Sequence, residues 1–331
     1  MKRFLDLADF TRDEVLALLE LARRLERTAE PRALSGKLLG LVFFNPSLRT
    51  LASFQAAMAR LGGQSLVINP GQGSWQMETR TGVVMDGAAA EHIREGIPVL
   101  ASYCDALGIR LFADGRDLAS ELAETSFGAI ARLTDKPLVN LESAVNHPCQ
   151  ALADWKTLDD LAVPRAGRFV LSWAYHPRAL PLAVPAAALH MAALRGMEVI
   201  VLRPEGFALP PEIMERARRA AAASGGSVHE TSERAHALRG AQVLYVKEWA
   251  APGCYGDAAA DAQLRSGLRS WCVRNDWFAA APECHVMHCL PVRRNSAIAD
   301  EVLDSPRSVV VREAANRLPV QMAVLHQLLR A

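Results

Sequence analysis

The segment FFNPSLRTLASF, residues 43 to 54, leaves an apolar run, turns at Pro46 and presents Ser47, Leu48, Arg49 and Thr50 at the mouth of a helix. Two hydroxyls, a guanidinium and the open N–H groups of a helix N-terminus suit an anion, although serine and threonine there also serve as plain caps. Other polar residues close apolar, strand-like runs: Arg110 in GIRLF, Glu142 and His147, His176 and Arg178 after Trp173, Lys247, and Cys289 with Arg293. Ligands of open parallel sheets bind outside the carboxyl ends of strands, so these positions are expected to carry the chemistry. Competing signatures fail. No G-x-x-x-x-G-K-[ST] occurs, and GQGSWQ (71–76) lacks the third glycine and following helix of a dinucleotide fingerprint. CHVMHC (284–289) gathers sulfur and imidazole, but Val286, Met287 and Leu290 make it read as a buried strand instead of a zinc site. No metal and no cofactor are expected.

The elements that must hold these residues alternate along the chain. Thr11 starts a helix with apolar positions Val15, Leu18, Leu19, Ala22 and Leu25. Strands are expected at 38–44, 64–68, 106–112 and 137–140, with helices at 53–61, about 91–104 and 118–133. A second series follows His147-Pro148: strands at 168–173, 198–202, 227–231, 241–246, 285–288 and 308–311, with helices at 150–161, 181–194 and 211–223 and a closing helix at about 316–329. That is α/β, with two doubly wound parallel-sheet domains. The expected division is 1–145 and 146–311, with a C-terminal helix of about 312–331 packing back on the first domain. At 331 residues the chain is long enough for two such cores. Its formal charge of +1 argues against nucleic acid as a partner, and no apolar stretch reaches membrane-spanning length. The start, MKRFLDLADF, carries acids at Asp6 and Asp9 and no apolar core, so no signal peptide is expected. Six cysteines without a CxxC pair fit a reducing cytoplasm.

SLRT, followed by HPCQ (147–150) and HCLPVRRN (288–295), resembles the transcarbamylases, which carry S-x-R-T, H-P-x-Q and H-C-L-P in that order. The resemblance runs through essentially the whole chain. It implies two α/β domains with the active site in the interdomain cleft and a homotrimer whose neighbouring subunit completes each site. It implies that Ser47, Leu48, Arg49 and Thr50 hold the phosphate of carbamoyl phosphate and that Arg110 is shared between that phosphate and the carbonyl oxygen. His147 and Gln150 would meet the carbamoyl group, Cys289, Leu290 and Arg317 would complete its pocket, and Trp75 would be lent by the adjacent subunit. Leu48 and Leu290 would contribute backbone only, and Cys289 also reads as a small buried hydrophobe. Arg49, Thr50, Arg110, His147 and Cys289 are then the catalytic set. Lysine at position 49 could not reproduce the planar fork of arginine. Leu51 stands where the family has a second, supporting arginine, and activity is expected to survive that change. A non-catalytic, ligand-binding relative of the fold is the reading from another class.

Relatives that use free ornithine carry Asp-x-W-x-S-M-G. This chain has Val246-Lys247-Glu248-Trp249-Ala250-Ala251, where a lysine suits a carboxylate and not an ammonium. WAYHPRALP (173–181), MDG (85–87) and EAANR (313–317) resemble the N-acylornithine transcarbamylases, which implies Glu142, His176, Lys247 and Arg293 as contacts of the acylated amino acid. Acetyl-specific relatives place a glutamate in MDG-x-x-E-E-H and succinyl-specific ones a proline; here the residue is Ala90. Alanine removes a carboxylate repulsion of about 4 kcal/mol at 4 Å and an effective dielectric of about 20. Arg178, where the acetyl type has lysine, could pair with a succinyl carboxylate. The expected acceptor is N-succinylornithine, with N-acetylornithine as the alternative.

Overall fold

The computed structural model describes residues 1–330, which fall into two compact units. One comprises Met1–Ala113, Ala119–Cys149 and the chain from Arg317 onward; the other comprises Asp114–Leu118 and Gln150–Asn316. Among the described residues no helix is long and apolar enough to cross a membrane.

The first unit is built on strands β1 (Arg3–Phe4), β2 (Leu38–Phe43), β3 (Gln64–Ile68), β6 (Ala106–Arg110) and β7 (Leu138–Glu142). All pair in parallel, in the order β1-β7-β6-β2-β3. The small pair β4 (Met77–Glu78) and β5 (Glu91–His92) stands apart from that sheet. Leu107, Ile109, Leu138 and Val42 are buried in a core with Ile93, Ile97 and Phe127, which explains why these strands read as unbroken apolar runs. Thr11 forms a full capping box with Glu14 ahead of the helix Arg12–Arg27. The final helix, Arg317–Leu329, packs on that helix and on Leu48–Arg60. Sheet order reverses between β2 and β6, and Phe43 pairs with Arg110 at their carboxyl ends.

The second unit repeats the plan with β8 (Arg168–Trp173), β9 (Glu198–Leu202), β10 (Ser227–Thr231), β11 (Val243–Lys247) and β12 (His285–Met287). Its order, β10-β9-β8-β11-β12, is again all parallel, and it reverses between β8 and β11, where Trp173 pairs with Lys247. Val170, Ile200, Leu244, Val246 and Val286 form its core with Trp277 and Phe278.

Three local expectations need correction. The run Ser308–Val311 is no strand: Ser308 makes an isolated bridge to Val286, and Val310–Ala315 is helical. β-Branched residues favour strands only when a sheet edge receives them. The helix expected over 118–133 is two, Leu118–Leu122 and Thr125–Ala131, parted by Glu124 in the left-handed conformation (φ +51°). The helix after β2 begins at Leu48, not at residue 53, with Ser47 as its N-cap.

Candidate active site

Each sheet's reversal point carries a cluster of the polar residues singled out above. In the first unit Ser47 is in extended backbone and its Oγ accepts from the Thr50 N–H at 3.3 Å. Thr50 is fully buried, and its Oγ1 accepts from Arg317 Nη2 (2.7 Å) and Ser47 Oγ (3.0 Å). A hydroxyl that accepts twice keeps its own proton for a third partner. Leu48 is 79% exposed. Arg110 ends β6; its carbonyl accepts from Phe44 N–H (3.0 Å), its guanidinium lies 4.3 Å from the Phe112 ring centroid, and it is ion-paired with Glu142.

His147 Nε2 stands 3.4 Å from that same Glu142 carboxylate. Burial is the first reason that the His147 pKa lies well below its ordinary value, and the positive charges of Arg317, Arg110 and Arg49 follow. The imidazole is therefore neutral and can donate without adding charge. His147 Nδ1 and Arg110 Nε are buried without hydrogen-bond partners. Burial likewise lowers the Arg317 pKa, with Arg110 and Arg49 as repelling neighbours and Glu142 opposing them. Two guanidiniums, Arg110 and Arg317, thus share one carboxylate, and a third, Arg49, joins them beside His147 at a helix N-terminus. Such an arrangement repels itself and is suited to receiving an anion.

Trp75 and Ala90 lie together elsewhere in this unit, joined by the β4–β5 pair. The Trp75 indole N–H donates to Glu91 Oε2 (2.7 Å), and Ala90 N–H donates to the Gln76 carbonyl (3.2 Å). Trp75 is 60% exposed, and Ala90 is exposed too.

The second unit gathers Gln150, His176, Arg178, Lys247, Cys289, Leu290 and Arg293. Here charge is compensated. Lys247 Nζ is 3.0 Å from Glu248 Oε2, and His288 Nε2 approaches the same oxygen at 3.4 Å. Leu290 N–H donates to His288 Nδ1 (2.9 Å), so the imidazole N–H is on Nε2, facing Glu248. Burial opposes ionisation of Glu248, yet the Lys247 and His288 charges hold its pKa far below the ordinary carboxylate range. Leu290 itself has φ +59°, a strained conformation for a branched side chain and one that clusters at functional sites. Cys289 is buried.

Arg293 Nε donates to His176 Nε2 at 2.8 Å, and His176 Nδ1 lies 2.8 Å from the Arg178 carbonyl oxygen. Desolvation is the leading cause of a lowered His176 pKa. The neighbouring Arg294 instead pairs with Asp300 and Asp304 among exposed side chains, so the two adjacent arginines serve different ends. Gln150 Nε2 donates to Asp154 (2.7 Å) and Glu313 (3.2 Å). Glu313 also accepts from the His288 N–H (2.8 Å), and burial followed by the Asp154 charge drives its pKa well above the usual range.

Sequence reasoning passed over Glu248, Asp154 and Glu313. Glu313 opens EAANR and Glu248 follows Lys247, yet nothing in an acid's letter says that it is buried. Among the described residues no group of three His, Cys, Asp or Glu side chains could hold a metal ion.

Comparison with known proteins agrees with this architecture. The family described as aspartate/ornithine carbamoyltransferase matches in both parts, the carbamoyl-P binding domain over residues 2–160 and the Asp/Orn binding domain over 184–328. The N-acetylornithine carbamoyltransferase of Xanthomonas campestris pv. campestris is 36% identical over 329 residues, covering 98% of this chain and 97% of that protein. The N-succinylornithine carbamoyltransferase of Bacteroides thetaiotaomicron is 36% identical over 293 residues, covering 88% of this chain and 87% of the other. Among solved structures, a glutamate-to-alanine variant of N-acetyl-L-ornithine transcarbamylase, holding carbamyl phosphate and N-succinyl-L-norvaline, superposes with a TM-score of 0.95. It is 36% identical and covers 99% of this chain and 100% of its own. Two α/β sheets of this order, with both family domains matched and relatives alike along nearly their whole length, place the chain in the aspartate/ornithine carbamoyltransferase family.

Proposed function

We propose that the protein transfers the carbamoyl group of carbamoyl phosphate to the δ-amine of N-succinyl-L-ornithine, releasing N-succinyl-L-citrulline and phosphate for arginine biosynthesis. The observation that carries the reading is the cluster of buried Arg110 and Arg317 with half-buried Arg49, beside Thr50, His147 and Glu142. Ser47, Leu48, Arg49 and Thr50 hold the phosphate through the helix N-terminus and the guanidinium fork, with Arg317 behind them. Arg110, Thr50 and neutral His147 donate to the carbonyl oxygen, whereas Gln150, Cys289 and Leu290 receive the carbamoyl amide. The δ-amine nitrogen attacks the carbonyl carbon, and negative charge collects on that oxygen. The C–O bond to phosphate then breaks, and the leaving phosphate takes the proton that the amine gives up. Preset donors and two substrates held in register supply the acceleration, so no side-chain nucleophile is required.

Glu142, His176, Arg178, Lys247, Arg293 and Ala90 bind the acylated amino acid. The succinyl preference rests on Ala90, which stands where the motif of acetyl-specific relatives has glutamate. It is supported by the glutamate-to-alanine variant of an acetyl enzyme that holds a succinylated ligand. N-acetylornithine is the second reading, favoured by the acetyl relative's match over 98% of the chain. Exposed Trp75 fits a homotrimer in which it reaches a neighbouring copy's site; the working compartment is the cytoplasm.

A ureido-product assay offering ornithine, acetylornithine and succinylornithine side by side tests the reading. Turnover is expected with the acylated amines, succinyl foremost. Preference for acetylornithine replaces the acceptor, and product from free ornithine alone overturns the assignment.

A further inference from the structure

His147 follows a loop, residues 143–146, that leaves β7, and it directly precedes the helix that begins at Pro148. Glu142, whose carboxylate stands 3.4 Å from His147 Nε2, is the last residue before that loop. The loop closes on itself where Ser143 N–H donates to the Asn146 carbonyl (2.9 Å), and the donors of its other residues turn to a side chain from outside. Glu124 supplies it. Glu124 Oε1 accepts from Ser143 Oγ (2.6 Å), Val145 N–H (3.0 Å) and Asn146 Nδ2 (3.0 Å), and Oε2 accepts from Ala144 N–H (3.3 Å). One carboxylate therefore satisfies a donor from every residue of the loop. Asn140 on β7 ties the same Ser143 Oγ from the other side at 2.8 Å.

The backbone at Glu124 departs from the usual in order to make this reach. It occupies the N-cap position of Thr125–Ala131 but makes no side-chain cap bond there. It also adopts φ +51°, a conformation that costs an ordinary residue energy and that asparagine or glycine would enter more readily. Helical continuation from 118 to 133 is given up at this residue. Strain of that kind persists where surrounding contacts over-determine it. Burial is the largest influence on the carboxyl, opposed by the four donors.

We propose that Glu124 is a positioning residue for the reaction: by holding Ser143, Ala144, Val145 and Asn146 it sets the place of His147 against Glu142 and the arginine cluster. This rests on the carbamoyl-transfer reading for its kinetic consequence, but not for its geometry. Glu124→Ala lowers kcat by about 10²-fold, the scale of a misplacement near 1 Å, and raises KM for carbamoyl phosphate while KM for the acylornithine stays put. Glu124→Gln, which keeps an oxygen where three of the four donors meet, recovers most of the loss. Hydrogen exchange at the Ala144 and Val145 amides, followed without substrate, speeds up in Glu124→Ala, whereas in Glu124→Gln only Ala144, which would face the amide NH2, loses its acceptor and Val145 stays protected. Unchanged exchange at those amides overturns the proposal. So does a Glu124→Ala enzyme with unaltered kinetics, or one whose kcat falls only with the folded fraction seen by circular dichroism, both KM values intact. Wild-type protein that never consumes carbamoyl phosphate would defeat the functional reading instead, leaving the exchange experiment to judge Glu124.

Discussion

The two sheets present opposite solutions to the same problem of buried charge. At the reversal point of the first, burial and the nearby charges of Arg317, Arg110 and Arg49 push His147 toward neutrality, with Glu142 as the one carboxylate among them. At that of the second, Lys247 is answered by Glu248, which also faces His288, and Arg293 leans on neutral His176. Burying like charges is expensive unless a counter-charge arrives. On the proposed reading, the difference between the clusters matches a phosphorylated donor at the first and an acylated amino acid of lower charge at the second. A compensated cluster gives less attraction and more fixed shape, which is what discrimination between acyl groups demands.

Four changes break or sharpen that contrast. Removing a donor from the uncompensated cluster should do most: Arg110→Gln is expected to lower kcat by about 10²–10³-fold, the usual loss of one oxyanion donor, read by steady-state turnover. In the compensated cluster the first casualty should be the fold. Glu248→Gln takes a countercharge from a buried lysine and is expected to cost about 3 kcal/mol in a denaturant titration; stability equal to wild type would mean that the Lys247–Glu248 pairing is dispensable. Ala90→Glu puts a carboxylate back on an exposed position. Solvent screening reduces the unscreened repulsion, so kcat/KM for succinylornithine should fall about 10-fold relative to acetylornithine, in competition assays at low and high salt.

The smallest effect concerns pH. The His147 pKa drops on folding from its ordinary 6.5, so the unfolded chain takes up this proton first. Its stabilising contribution is complete above about pH 6.5 and fades as the pH falls through the lowered value. Glu313, whose pKa rises from 4.5, works in the opposite sense and loses its contribution as the pH rises. The quantity to measure is therefore the difference between wild type and His147→Gln, which should show wild type losing at least about 1 kcal/mol more on going from neutrality to about pH 5. Parallel stability curves would remove His147 from the buried, neutral role.

Much of this arrangement was readable in the letters. The strands at 64–68, 168–173, 198–202 and 227–231 fall where apolar runs put them, because a parallel sheet covered on both faces leaves no alternation to misread. Thr11 and Ser47 announce their helices through local capping chemistry. The failures have one cause, contacts distant in sequence. Val309 and Val310 favour a strand, but the edge strand β12 takes up only one bridge, at Ser308, before the chain turns helical at Val310. Glu124 breaks a helix for bonds to residues about twenty positions on. Glu248, Asp154 and Glu313 look like surface acids until burial is seen. Arg293 and Arg294, adjacent and alike, could be told apart only by what each touches.

The contrast between clusters is tested most directly by calorimetric titration of carbamoyl phosphate into the protein with no acylornithine present. Saturable heat that weakens with added salt and disappears in Arg49→Ala is the predicted result. Absence of heat from wild-type protein, or binding untouched by Arg49→Ala, would contradict it.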